Sequence, residues 1–479
     1  MVTSPLSAAI ESKSKPLARK PFVVSARLGN LLLIALILNF CSACRLAATA
    51  ENDSSGAENA SQKARNEAAL SQARNNIEKF RKGDARIKIL DARGKAVGGA
   101  QINIKQISHD FKFGCYLKID DLAAEKLPAY EAHFSKLFNY AVVGAYWDFV
   151  ENRRGAENWA WFEKEVALAR KLKLRVAAAP VLWGTNDAGT PAWLPHAKDE
   201  LLPLLKRRVQ ATVAKYENAV DDWEIVNEPL APKADVFAER IGSDYVEQAF
   251  GWAREAAPGE RLMINEYGVF GSGGKQNYNR EKYFSLLKEL IENGASIDVV
   301  GIQAHSLGEW FEPANVSERL NAYAALGKPV QITEFSAQIF DYEDKRAPLG
   351  ISGAYRGGAG VWNEEKQAEF YREFYTIAFG SPQVEAIVTW GLDDERAWLP
   401  GIGLIDAGGN PKANYKTLDR LINNEWRTNL QINAGGAGKA AEFRGFYGAY
   451  EVEVIAGAKR AKAVFELKKG DENEWIVRL

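Results

Sequence analysis

The stretch Asp221–Leu230 reads DDWEIVNEPL. Its aromatic and β-branched residues, Trp223, Ile225 and Val226, have the character of a buried strand. That strand runs straight into Asn227-Glu228-Pro229, and a proline does not continue a central ladder. The strand therefore ends with an ionisable group at its tip. Burying a carboxylate is costly unless it is paired or put to use, so Glu228 calls for a partner or a task.

The same rhythm recurs on both sides. Short apolar runs occur at FKFGCY (111–116), FNYAVVG (138–144), LRVAAAPVLW (174–183), RLMINEY (261–267), IDVVGIQ (297–303), PVQITEF (329–335) and VEAIVTWG (384–391). Amphipathic helical patterns such as WFEKEVALARKLK (161–173) and VEQAFGWAREAA (246–257) lie between them. With DWEIVN (222–227) they make eight strands over about 310 residues, the size and rhythm of an α/β fold of the (β/α)8 TIM-barrel type. An open doubly wound sheet is the structural rival, but no glycine-rich dinucleotide loop follows the first strand.

The barrel is expected over 111–427. Residues 51–84 read as linker and helix, with Leu70, Ala73, Ile77 and Phe80 at helical spacing and Gly83-Asp84 as the stop. Residues 85–106 alternate in two segments around Asp91–Gly99, the pattern of a β-hairpin or meander. Beyond Asn424 the helices stop, and 428–479 alternates like antiparallel strands. Such a tail buries its own apolar face poorly. It is expected to combine with residues 85–110 into one small β-rich accessory domain built from both ends. An edge appendage on the barrel bottom is the other reading.

Of the 479 residues 47% are hydrophobic, enough for a large core, and the formal net charge of -1 offers no global basic field for nucleic acid or anionic membrane. Thirteen tryptophans fit either a well-filled core or flat stacking surfaces. The three cysteines, Cys41, Cys44 and Cys115, give no disulfide framework once the first two are removed or modified. Both lie beside GNLLLIALILNF, an apolar run of about 12 residues that follows basic residues and is short for a membrane span. Residues 1–50 thus read as an export signal. Either Cys44 becomes a lipidated membrane anchor, as in bacterial lipoproteins, or cleavage follows Ala50. The expected location is exported: periplasmic, surface-anchored or secreted, and the expected state is a monomer.

In a (β/α)8 barrel, chemistry collects at the C-terminal ends of the strands. There this chain has Asn227 and Glu228, Asn265 and Glu266, Gln303 and His305, Glu334, and Trp390. Any single strand-end glutamate is ordinarily a solvated rim residue or an ion-pair partner; convergence of the set points to a site. Two carboxylates across one cleft suit glycoside hydrolysis, in which one group is protonated to assist the leaving oxygen and the other is ionised. Asn227 would hold a sugar hydroxyl, and His305 would keep Glu334 charged by donating a hydrogen bond. The four histidines lack ligand spacing, so no metal or other cofactor is expected. Nor is there a G-x-S-x-G elbow.

These residues also resemble a family. WEIVNE (223–228), AFGWAREAAPGERLMINEYG (249–268), DVVGIQAH (298–305), QITEF (331–335), TWGLDDERAW (389–398), GLID (403–406) and PKANY (411–415) follow in the order found in glycoside hydrolase family 10, the retaining endo-β-1,4-xylanases. The resemblance covers 112–427. It implies that Glu228 is the acid/base and Glu334 the nucleophile, with carboxyl groups about 5–5.5 Å apart. It implies substrate-binding roles for Asn227, Gln303, His305, Trp183, Trp390, Trp398 and Asn265. The N-terminal stretch from Ile77 to Cys115 resembles the β-rich leader of some bacterial members.

The chain also departs from the family pattern. Gly144-Ala145 and Asp148-Phe149 stand where the family usually has Glu-Asn and Lys-Trp, and Ala179 and Gly184 replace two histidines. The family residues bind sugars on the non-reducing side, so hydrogen bonds of about 0.5–1.5 kcal/mol each are lost. Tyr146, Trp147, Asp148 and Asn186 are candidates to compensate. The long segment 336–363, with Tyr355, Arg356 and Trp362, is a candidate specificity loop or ordinary decoration. The expected function is double-displacement hydrolysis of β-1,4-xylan or a related β-linked polysaccharide. The alternatives are the same chemistry on a different or substituted glycan, and a non-catalytic glycan-binding protein.

Overall fold

The computed structural model describes residues 59–185, 189–231, 235–271, 279–306, 308–341, 361–436 and 438–479. The expected leader with Cys41 and Cys44, Asn186, and Tyr355 and Arg356 lie outside the described residues.

Two strands, β1 (Lys82–Leu90) and β2 (Gln101–Gln106), precede the barrel. The barrel follows as β3 (Lys112–Tyr116), β4 (Tyr140–Gly144), β5 (Arg175–Ala179), β6 (Leu182–Trp183), β7 (Asp222–Asn227), β8 (Arg261–Glu266), β9 (Val299–Ser306) and β10 (Val330–Ala337). A two-residue ladder, β11 (Phe340–Asp341) with β12 (Val361–Trp362), leads to the last barrel strand, β13 (Val384–Thr389). All neighbours in the barrel are parallel, β13 pairs with β3, and β5 pairs with β7, so the sheet closes. β5 and β6 are one strand interrupted at Pro180, which lacks a ladder donor; both pieces pair with β7. The barrel is therefore eight-stranded, as the spacing predicts, and β7 begins and ends where DWEIVN does.

Every residue of β7 is buried, as expected for a parallel strand covered on both faces. Tyr140, Val142, Ala177, Ala179, Ala386 and Val388 form one cluster, with Tyr116 and Trp390 packed against it. At the N-terminal end of the strands Asp222 is fully buried, accepting hydrogen bonds from Lys112 Nζ (2.7 Å), Tyr140 Oη (2.9 Å) and Arg261 Nη1 (2.8 Å). The quoted stretch thus carries a carboxylate at each end, and this one is matched by two cations. On the outside, Phe335 of β10 stacks between Phe370 and Phe374 of the helix Glu364–Gly380.

The remaining strands are β14 (Asn429–Asn433), β15 (Ala441–Phe446), β16 (Gly448–Ala456), β17 (Lys459–Leu467) and β18 (Glu474–Arg478). They join the two N-terminal strands, as expected, but not as a hairpin. β1 lies between β15 and β18, and β2 between β14 and β16. The hairpin reading is therefore corrected: Val97 N–H still bonds Ile89 O at 2.9 Å, but the chain then crosses to a second sheet. The physical reason is burial. Ile87 and Ile89 of β1 and Ile102 and Ile104 of β2 enter one shared core with Phe443, Tyr450, Val452 and Trp475. A two-stranded ribbon would leave that apolar face in water.

Trp475 stacks on Phe465 with centroids 5.0 Å apart and is 5% exposed. Replacing Trp475 by alanine is expected to cost about 3–5 kcal/mol, read by chemical denaturation, while leaving turnover per folded molecule unchanged.

Leu70, Ala73 and Ile77 of the helical residues 64–80 are buried, as their spacing predicts, and Phe80 is half-buried. Gly83-Asp84 is not the stop: the helix ends at 80 and Gly83 already belongs to β1. A Cβ at Gly83 would lie 2.6 Å from the Tyr447 ring, which accounts for the glycine there.

Candidate active site

The C-terminal ends of β6 to β10 bring Trp183, Asn227, Glu228, Asn265, Gln303, His305 and Glu334 into one hydrogen-bonded set. Glu228 Oε1 accepts from Gln303 Nε2 at 2.8 Å, and Oε2 accepts from Trp183 Nε1 at 3.1 Å. Glu334 Oε1 accepts from Asn265 Nδ2 at 2.9 Å; its Oε2 lies 3.0 Å from His305 Nε2. His305 Nδ1 is 2.7 Å from Ser336 Oγ, which fixes the ring. Asn227 Oδ1 accepts from both Asn265 (3.1 Å) and Gln303 (3.3 Å), so one amide network joins the two glutamates. Asn265 Oδ1 in turn accepts from Thr333 Oγ1 at 2.6 Å, which orients its amide. Among the described residues no partner occupies Asn227 Nδ2, leaving that donor for a ligand.

The two glutamates sit in different electrostatic settings. Glu228 is held by an amide and an indole, both neutral, whereas Asp222 at the other end of β7 is held by Lys112 and Arg261. Burial, reinforced by the charge of Glu334, pushes the Glu228 carboxyl up to about 7 against the pull of its two donors. A protonated carboxylic acid at neutral pH is what a general acid needs. Glu334 has a histidine ring and an amide N–H directed at its two oxygens instead.

Local backbone geometry sets the aim of Glu228. Its φ is 53°, in the left-handed region, which costs a residue with a side chain about 1–2 kcal/mol. The Glu228 N–H bonds Asn265 O at 2.9 Å, and Ala231 N–H closes a turn onto Glu228 O at 3.2 Å. Pro229 occupies the second position of that turn, where its fixed φ fits.

The aromatic residues divide. Trp390 stacks on Tyr116 at 4.5 Å, and Trp398, 44% exposed, meets the His305 ring edge-on at 4.9 Å. The Tyr146 ring centroid lies 6.1 Å from that of Trp183, and the Tyr116 and Tyr146 side chains meet beside Gly144. Trp147 is buried and donates to Glu151, and Trp362 is buried beside Trp310 and Phe370. Neither of those two faces a ligand. The departures at Gly144 and Gly184 have steric causes. A Cβ at Gly144 would lie 2.8 Å from both Tyr116 Oη and the Tyr146 ring, and one at Gly184 would lie 2.1 Å from Asp235 Oδ1. Asp235 is committed locally, capping the helix Val236–Ile241 and accepting from Tyr245 Oη at 2.8 Å.

Sequence reasoning named Tyr146 as a candidate to compensate, but missed Glu224 and Tyr116 as parts of the site. Glu224 is buried, and burial followed by the charges of Glu334 and Glu228 pushes its carboxyl well above the usual range. Its signal was an acidic residue inside an otherwise apolar strand. Tyr116 was readable as the last residue of its strand; Tyr146 lies in a loop with no motif.

Comparisons with known proteins agree with this geometry. Residues 103–420 match the sequence pattern of Glycosyl hydrolase family 10. The chain is 30% identical over 290 residues to endo-1,4-beta-xylanase B of Thermotoga neapolitana, covering 58% of this chain and 78% of that one. It is 28% identical over 283 residues to a beta-1,4-xylanase of Dictyoglomus thermophilum, covering 56% and 76%. Among solved structures, xylanase 10B of Thermotoga petrophila in complex with xylobiose superposes with a TM-score of 0.55 at 25% identity, covering 66% of this chain and 95% of that one. The family match runs through every strand that builds the cleft, from β3 to β13, and the chain belongs to glycosyl hydrolase family 10.

Proposed function

We propose that this glycoside hydrolase cleaves β-1,4-xylan by double displacement, with Glu334 as nucleophile and Glu228 as acid/base. The observation that carries the role assignment is the asymmetry of the pair: Glu228 is held by neutral donors and raised to about 7, while Glu334 faces His305. In the first step the Glu334 carboxylate attacks the anomeric carbon, and Glu228 protonates the departing glycosidic oxygen as the bond breaks. In the second, Glu228 takes a proton from water, which attacks the same carbon and releases Glu334. Asn227, whose Oδ1 is taken by Asn265 and Gln303, would donate its Nδ2 to a sugar hydroxyl. Relatives at 30% and 28% identity that carry the name xylanase support xylan as the polysaccharide. New reducing ends from xylan, with none from a panel of β-glucans and galactans, are the expected result; hydrolysis of another panel member with xylan untouched would overturn the substrate.

The acid limb of this reading has a pH signature. Because Glu228 is active in its protonated form and titrates at about 7, kcat/KM is expected to fall as pH rises through that value, tenfold per unit above it. A profile flat from pH 6 to 9 would contradict the assignment.

The apolar leader beside Cys44 supports an exported protein, and the lack of a basic field supports a partner that is neutral polysaccharide rather than nucleic acid. The mass of the mature N-terminal peptide separates lipidation at Cys44 from cleavage after Ala50, and light scattering tests the monomer.

A further inference from the structure

We propose that Glu266, whose side chain hydrogen-bonds neither glutamate of the catalytic pair, positions the acid/base by clamping the turn that carries it; this rests on the assignment of Glu228 above. Glu266 ends β8 and is fully buried. Its Oε2 accepts the Leu230 N–H at 2.9 Å. Its Oε1 accepts the Tyr267 N–H at 2.9 Å and Asn279 Nδ2 at 3.0 Å. Leu230 is the third position of the turn Glu228–Ala231, whose second position, Pro229, has no N–H to offer. The turn is thus tied to β8 twice: by the Glu228 N–H to the backbone of Asn265, and by the Leu230 N–H to the side chain of Glu266.

The tie has a reason in the backbone. Glu228 sits at φ 53°, a conformation that a residue with a side chain leaves unless its surroundings fix it. Two anchors on one four-residue turn fix it. Releasing the Leu230 anchor lets Glu228 relax toward the ordinary region, which swings its carboxyl away from Gln303 and Trp183. Glu334, on β10 with its own partners, is left in place.

That division makes a specific prediction, because the two catalytic groups respond differently to the leaving group. A natural sugar leaving group needs protonation by Glu228; a dinitrophenolate does not, whereas both need attack by Glu334. In Glu266→Gln a single carbonyl oxygen cannot accept on both sides, so either the Leu230 or the Tyr267 and Asn279 side faces an amide NH2. The expected result is a fall of at least about tenfold in kcat/KM on xylan. On 2,4-dinitrophenyl β-xylobioside kcat/KM is expected to stay within about threefold of the unaltered enzyme, since acid assistance is not required there. Pro229→Gly, which loosens the same turn at a partly exposed position, is expected to give the same selective loss and guards against a folding defect at the buried site. Equal losses on both substrates in both variants, or no loss on xylan, would overturn the clamp. Glu228→Ala is run beside them. If it fails to show the leaving-group split, the acid/base assignment itself is wrong; if it shows the split and the other two do not, only the clamp fails.

Discussion

Glu334→Ala is expected to abolish turnover of xylan, lowering kcat by on the order of 10⁴-fold or more, with circular dichroism and melting temperature close to those of the unaltered protein. The size follows from the proposed role: if Glu334 is the nucleophile, no covalent intermediate forms without its carboxylate, and neither step of a double displacement has a substitute. Stability should change little. Glu334 is 8% exposed at the rim of the barrel core, and its removal frees Asn265 and His305 to bond to water in the cleft rather than leaving them sealed off. Residual activity above about 1% would contradict the assignment.

Glu228→Ala is expected to show a second, different signature. On xylan, losing general acid and general base together should cost about 10²–10⁴-fold. With a 2,4-dinitrophenyl glycoside the first step survives, because the leaving group departs unprotonated; the second step stalls for want of a base. Sodium azide then attacks the glycosyl-enzyme directly, needing no proton removed, so turnover recovers and the product is a glycosyl azide of retained configuration. The measurement is the initial rate against azide concentration, with product identification by mass. No recovery with azide would place the acid/base elsewhere. Glu334→Ala should not be rescued to a product of retained configuration, and that contrast separates the two roles.

The fold was readable because hydrophobic rhythm and strand-end chemistry pointed the same way. DWEIVN is apolar enough to be buried on both sides and is stopped by a proline, so its boundaries match β7 residue for residue. LRVAAAPVLW was readable as one strand although Pro180 splits it, since both pieces pair with β7. The β-domain was legible in part. Alternation identified its strands, but alternation carries no information on which strand lies beside which, and the adjacent pair β1 and β2 ended in opposite sheets. Sequence proximity favoured a hairpin; burial of Ile87, Ile89, Ile102 and Ile104 in one core prevailed.

In the site, residues that end strands were found, because position on a barrel strand predicts where a side chain points. What the sequence did not reveal is what each of them holds. Glu266 reads like Glu228, an acidic residue ending a strand, yet one carboxyl caps backbone N–H groups and the other faces the cleft. Gly144 and Gly184 read as missing side chains. In the structure they are places where Tyr116, Tyr146 and Asp235 already fill the space. Such long-range exclusions leave no trace in local pattern.

The most direct test of the central claim is to trap the intermediate. Incubation with 2,4-dinitrophenyl 2-deoxy-2-fluoro-β-xylobioside, followed by proteolysis and peptide mass mapping, should give one modified peptide, with the fluoroglycosyl group on Glu334. Label on Glu228 or any other residue, or hydrolysis without a covalent adduct and with inversion at the anomeric carbon, would contradict the account.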